Sequence, residues 1–351
     1  MKKNLAALIT AAAVGLSLTA CGSSSTTSTT TSAAAQSSAA SAETTATAES
    51  TTGAADASSE TYTVGICQLV QHQALDAATQ GFKDALTEAL GDKVEFVEQN
   101  ASNDIPTCAT ICNGFVADGV DLILANATPA LQAAVAATQT IPILGTSVTE
   151  YGVALDISDF NGTVGGNISG TSDLAPLDQQ AAMFTELLPD AKTIGILYCS
   201  AEANSVYQAD VVKAALEESG LTVNVYTFAD SNDVSTVTAT ACDECDALYI
   251  PTDNTAASCA EAINNVALPA KTPIIAGEEG IASGCGIATL SIDYYELGVT
   301  TGKMAAKILT GESNISEMPI EYYQNPVKKY NSVICEQLGI TVPDDYTAIE
   351  Q

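Results

Sequence analysis

The chain has 351 residues, 46% of them hydrophobic, and a formal net charge of -31 at pH 7, with no arginine and one histidine. Such acidity excludes a surface that holds nucleic acid or anionic lipid by charge. The length allows two compact units, each with its own core.

The N-terminus reads as an export signal: Lys2 and Lys3 precede an apolar run over 5–17 that is too short to span a bilayer. It closes on Leu18-Thr19-Ala20-Cys21, which resembles the bacterial lipoprotein cleavage box. That resemblance implies that residues 1–21 are a signal peptide and lipobox ending at Cys21, cut just before Cys21, which becomes the lipidated first residue. Residues 22–60 are almost entirely Ser, Thr and Ala and should form a disordered stalk, because they cannot bury enough surface to offset their ordering entropy. No later segment is long and apolar enough to cross a membrane, so the expected location is extracytoplasmic, held to the cell membrane by the lipid.

From Tyr62 onward, short apolar runs alternate with helical stretches. Strands are predicted at 62–70, 93–98, 120–126, 141–146, 192–198, 221–228, 246–250, 272–276 and 286–291. Helices are predicted near 74–90, 104–118, 128–139, 176–188, 203–219, 232–241, 253–267 and 293–310. This alternation means βαβ units and parallel sheets with helices on both faces. The segment "VGICQLV" at 64–70 is echoed by "IGILYCS" at 194–200, and "VDLILANATPA" at 120–130 by "CDALYIPTDNT" at 245–255. The echo favours two similar lobes, expected as 61–172 plus 278–310 and 173–277 plus 311–351.

Ten cysteines occur. Cys67 and Cys199 lie in apolar strand runs, and Cys108 and Cys112 share a predicted helix. Cys242 and Cys245 form a lone C-x-x-C. With a single histidine and no second C-x-x-C, no metal site is expected.

Parallel α/β sheets bind ligands beyond the carboxyl ends of their strands, where helix N-termini offer free N–H groups. Those ends carry Gln71-His72, Asn126-Ala127-Thr128-Pro129 and Thr146-Ser147-Val148-Thr149 in the first half. In the second half they carry Glu202-Ala203-Asn204-Ser205, Thr252-Asp253-Asn254, Glu278-Glu279 and Asp293-Tyr294.

The segments "QHQALDAATQGFKDAL", "ANATPALQAA", "AEANSVYQ", "YIPTDNTAAS", "AGEEG" and "IDYYELGVTTGKMAAKIL" recur in order over 62–311. Together they resemble the ABC-transporter substrate-binding proteins of the branch associated with tryptophan and other aromatic amino acids. The resemblance implies a two-lobed type I periplasmic-binding-protein fold that closes on a small ligand and docks on a membrane permease. Where that family often has an acid before the histidine and a proline after it, this chain has Gln71-His72-Gln73.

A zwitterionic ligand would have no guanidinium for its carboxylate, leaving helix N-termini and the hydroxyls of Thr128, Ser147, Thr149 and Ser205. Its ammonium would need an acid, and Asp253, Glu278, Glu279 and Asp293 are the candidates. Each residue has a plainer role open to it. Asp253, flanked by Thr252 and Asn254, and Asp293, with Glu296 three residues on, are also N-cap residues. Glu278 and Glu279 also fit a solvated hinge, and Thr128 a cap before Pro129. His72 and Asn204 are polar at strand ends, and Tyr294 is either core or a surface for stacking on an aromatic ligand. No Ser-centred elbow or paired nucleophile accompanies His72, so no catalytic residue and no cofactor are expected. The function expected is a monomeric, lipid-anchored solute-binding protein of an ABC importer. Its ligand would be an aromatic amino acid or, alternatively, a sugar, nucleoside or peptide-like molecule on the same fold. A surface hydrolase is the competing class.

Overall fold

The structure, a computed structural model, describes residues 61–350. The export signal, Cys21 and the 22–60 segment lie outside the described residues. The elements β1 (Tyr62–Gln68), α1 (Gln73–Leu90), β2 (Val94–Asn100), α2 (Ile105–Asp118), β3 (Leu122–Asn126), α3 (Thr128–Ala137), β4 (Ile143–Val148), α4 (Tyr151–Ala154) and β5 (Ile168–Ser172) build a first lobe. The chain crosses to a second lobe for α5 (Leu177–Leu187), β6 (Thr193–Cys199), α6 (Ala203–Glu218), β7 (Thr222–Phe228), α7 (Val234–Glu244) and β8 (Ala247–Ile250). The second lobe continues with α8 (Asn254–Ser258), α9 (Ala260–Ala270), β9 (Ile274–Ala276), α10 (Glu279–Cys285) and β10 (Ala288–Ser291). Back in the first lobe come α11 (Tyr294–Leu309) and β11 (Glu321–Tyr322). The chain then ends in the second lobe with β12 (Val327–Tyr330), α12 (Ser332–Leu338) and β13 (Thr347–Ala348).

The first sheet has the order β11-β5-β4-β3-β1-β2 and the second β13-β12-β10-β9-β8-β6-β7. Pairing is parallel throughout except between β10 and β12. Strands buried on both faces explain the continuous apolar runs: all five residues of β3 and all four of β8 are buried. One face of the first sheet packs Ile123 and Phe115, the other Ile66, Phe82 and Leu144. The second sheet is sandwiched likewise, with Ile196 and Tyr249 on one side and Leu197 and Ile250 on the other. Cys67, Cys108 and Cys112 meet in the first lobe's core. Hydrogen bonding among these thiols, with burial, pushes the Cys67 thiol up.

The chain passes between lobes after β5, after β10 and after β11. The helix-strand unit α10-β10 therefore belongs to the second lobe, and residues 311–322 belong to the first. Both assignments depart from the boundaries expected at 278 and 310. A βαβ alternation does not say which sheet a strand joins, and hydrogen bonding of β10 to β9 decides it. The return helix α11 lies tight against α1 because both faces are small there. A Cβ on Gly298 would stand 2.0 Å from the Ala78 carbonyl oxygen, and one on Gly81 2.1 Å from that of Tyr295.

In each sheet the winding reverses once, between β1 and β3 and between β6 and β8. Open α/β sheets bind ligands in the crevice at such a reversal. The two crevices face each other between the lobes.

Candidate interlobe binding site

The second-lobe wall is organised by Glu202, a carboxylate only 2% exposed. It accepts from the backbone N–H of Asn254 (3.0 Å) and Thr255 (2.9 Å), from Asn254 Nδ2 (2.6 Å), from the Thr255 hydroxyl (2.8 Å) and from Asn204 Nδ2 (3.2 Å). Five donors on one carboxylate compensate its loss of water. They also tie the loop after β6 to the start of α8. Asp253 does the companion task. Its Oδ1 caps α8 through Ala256 N–H (2.7 Å), and its Oδ2 accepts from Cys199 N–H at the end of β6 (2.7 Å). Burial, then the Glu202 charge, pushes the Asp253 carboxyl up to about 8. The Ser205 hydroxyl lies beside this carboxyl. Asn204 Nδ2 further donates to the Thr252 carbonyl (2.9 Å), while its Oδ1 is buried without a partner.

Three side-chain hydrogen bonds join the first-lobe wall to this one. His72 Nε2 lies 3.2 Å from Asn254 Oδ1, Asn103 Nδ2 donates to the Thr255 hydroxyl (3.0 Å), and Gln208 Nε2 donates to the Thr149 hydroxyl (3.4 Å). Burial lowers the His72 pKa below its ordinary value, which favours the neutral ring. The hydroxyls of Thr128 and Ser147 and the Nδ1 of His72 are buried without partners. Two of the strand ends that carry them are strained, with φ of 93° at Ala127 and 53° at Ser147. Non-glycine residues adopt such angles at a cost of about 1–3 kcal/mol, and they cluster at ligand clamps.

At the crossings sits an acid that reading strand ends missed. Asp173, the first residue after β5, is 4% exposed. Tyr294, the first residue of α11, donates its hydroxyl to Asp173 Oδ2 (3.0 Å), whereas Oδ1 is buried without a partner. The Thr149 hydroxyl lies beside this carboxyl, and burial pushes its pKa up to about 6. Tyr294 packs among Ala74, Ala78, Ala175, Ile292 and Leu297, a core setting for its ring. Nearby Glu278 caps α10 by accepting from Gly280 N–H (2.6 Å) and Ile281 N–H. Burial pushes Glu278 up to about 7.

Thus Thr128, Ser147, Thr149, Asn204, Ser205, Thr252, Asp253, Asn254, His72 and Tyr294 gather at the interlobe crevices, and Glu202, Gln208 and Asp173 join them. The remaining acids have other partners. Glu279 pairs with Lys329 at 2.5 Å, and Asp293 is an exposed cap that accepts from Glu296 N–H (3.1 Å). Among the described residues, no cluster of His, Cys, Asp and Glu is arranged to hold a metal ion, and no helix is long and apolar enough to cross a membrane.

The profile of the ABC transporter substrate binding protein family matches residues 63–349. The chain belongs to that family. It is 38% identical over 269 residues to a tyrosine-binding protein of Clostridioides difficile, covering 75% of this chain and 76% of that protein. An ABC domain from Streptococcus pneumonia, solved in complex with L-Trp, is 32% identical and superposes with a TM-score of 0.77, covering 81% of this chain and 96% of that one. A ligand-free, open substrate-binding protein with adhesive properties from Clostridium difficile is 36% identical, with a TM-score of 0.63 over 82% of this chain and 99% of that one. The L-Trp complex superposes better than the open structure despite its lower identity. Neighbours of 13–17% identity share the two-lobed α/β fold alone.

Proposed function

We propose that the chain is the solute receptor of an ABC importer. In this reading it takes an aromatic amino acid into the interlobe crevice, closes on it, and presents the closed form to a membrane permease. The observation that carries the reading is the set of buried polar atoms without partners on the facing walls: the Thr128 and Ser147 hydroxyls, His72 Nδ1 and Asn204 Oδ1. Buried polar atoms are ordinarily satisfied, and a small polar ligand would supply the missing partners. The Thr128 and Ser147 hydroxyls, with the first N–H groups of α3, suit a carboxylate in a chain without arginine. Relatives that bind tyrosine and L-Trp support the aromatic class. Lipidation at Cys21 would hold this receptor beside its permease.

Calorimetric titration of the purified protein with the amino acids, common sugars and nucleosides tests the reading. Binding confined to tyrosine, tryptophan or phenylalanine is the expected result. Binding only to a sugar or nucleoside would overturn the zwitterion site. Incorporation of a fatty-acid probe that vanishes in Cys21→Ala is expected for the anchor.

A further inference from the structure

The charged residues buried among the described residues are four acids, Asp173, Glu202, Asp253 and Glu278, and no lysine accompanies them. Buried carboxylates without a cation are costly unless donors surround them. Three of the four are surrounded on both oxygens: Glu202 by five donors, Asp253 by two N–H groups, and Glu278 by two N–H groups. Asp173 alone among them keeps one oxygen, Oδ1, buried without a partner, while Tyr294 holds the other at 3.0 Å.

We infer that Asp173 anchors the primary ammonium of the ligand through this free oxygen, an inference that rests on the amino-acid reading of the cleft. Its place favours the role. Asp173 follows β5 at the carboxyl end of the first sheet, beside Thr149 at the end of β4. It thus belongs to the same rim as Ser147 and Thr128, whose hydroxyls are suited to the ligand carboxylate. An α-amino acid carries its two charged groups on one carbon, so donors and an acid on one rim match its head group. Tyr294 occupies Oδ2 and leaves Oδ1 open. A charge-assisted N–H···O bond at a desolvated carboxylate is among the stronger hydrogen bonds available to a protein. A sugar or other neutral ligand would leave the buried carboxylate without a counter-charge.

The test compares L-tyrosine and L-tryptophan with their des-amino analogues, 3-(4-hydroxyphenyl)propionate and indole-3-propionate, by calorimetry on wild type and Asp173→Asn. Wild type should bind the amino acid at least about 30-fold more tightly than the analogue. In Asp173→Asn that preference should fall to within about threefold, with affinity for the analogue little changed. Equal wild-type affinities for amino acid and analogue would overturn the inference without any variant, so a variant that fails to fold does not protect it. An Asp173→Asn variant that weakens both ligands equally would make Asp173 structural and overturn it too. Tyr294→Phe, which keeps the carboxylate, should retain the preference, and its loss there would overturn the assignment to Asp173. If wild type binds neither amino acid nor analogue, the reading of the cleft itself falls, and this inference with it.

Discussion

His72 Nε2 stands 3.2 Å from Asn254 Oδ1 across the crevice, and Glu202 determines which atoms face each other there. A carboxylate only accepts, so Glu202 takes Asn254 Nδ2 at 2.6 Å and leaves Oδ1 turned to the histidine. The proton therefore sits on Nε2, and Nδ1 is a bare acceptor within the crevice. Removing this interlobe bond with His72→Ala should shift the unliganded protein toward an open form by about 1 kcal/mol. Small-angle scattering should record a larger radius of gyration for the variant than for wild type. An unchanged radius would mean that the contact contributes nothing to closure.

Thr128→Val tests the carboxylate wall through two effects of opposite sign. The hydroxyl is buried and unpartnered in the structure, so its removal should leave the unliganded protein as stable or raise stability by about 1 kcal/mol. Affinity for the ligand should fall, by about tenfold, as expected for one lost bond to a charged group. Thermal unfolding and calorimetry on the same sample report both. A variant less stable than wild type would make Thr128 a structural residue.

Asp253 links stability to pH with a definite sign. Its folded pKa, about 8, lies above the ordinary 3.8, so the native state keeps a proton that the unfolded chain has lost. The resulting stabilisation is complete below the unfolded value and is lost as pH rises through the folded one. Glu278, at about 7, and Asp173, at about 6, act in the same sense. Urea unfolding of the unliganded protein should show a smaller fall in stability from pH 5 to pH 8 for Asp253→Asn than for wild type. Parallel falls would remove Asp253 from the linkage.

Gly298→Ala probes the seam between the return helix α11 and α1. The added methyl would stand 2.0 Å from the Ala78 carbonyl oxygen, so α11 must shift away from α1. Overpacking of this kind costs about 1–3 kcal/mol, well beyond the gain in helix propensity. Chemical denaturation should show the loss, and an unchanged midpoint would mean that the seam yields without cost.

Much of this architecture is legible because doubly buried strands must be apolar and their ends must be polar. The nine predicted strands all appear, within a few residues of their bounds. The missing strand β5, "ISGTS", escaped because four of its residues are small or polar: its Ser169 and Thr171 hydroxyls find Met318 O and Thr301 Oγ1 instead of apolar neighbours. With β5 unseen, Asp173 carried no signal as a strand-end residue. Glu202 was visible at a strand end, but its donors arrive from Asn254 and Thr255, and only the packing of α8 against β6 brings them to it. The strands β11 and β13 are two residues long, too short for any periodicity. The predicted helix 253–267 breaks at Cys259 into α8 and α9.

Asp173 stands beside β5 and Asn103 follows β2, and four strand steps separate those two strands in the first sheet. At roughly 4.8 Å per step, the Asn103–Thr255 contact lies about 19 Å from the nearest crossing. Bending about the crossing at Asp173 would displace the outer rim by about 0.3 Å per degree and the crossing itself hardly at all. A ligand held first at the crossing would find its head-group partners in nearly the same place whether the jaws stand open or shut. The outer contact would then act as a latch, made last and broken first.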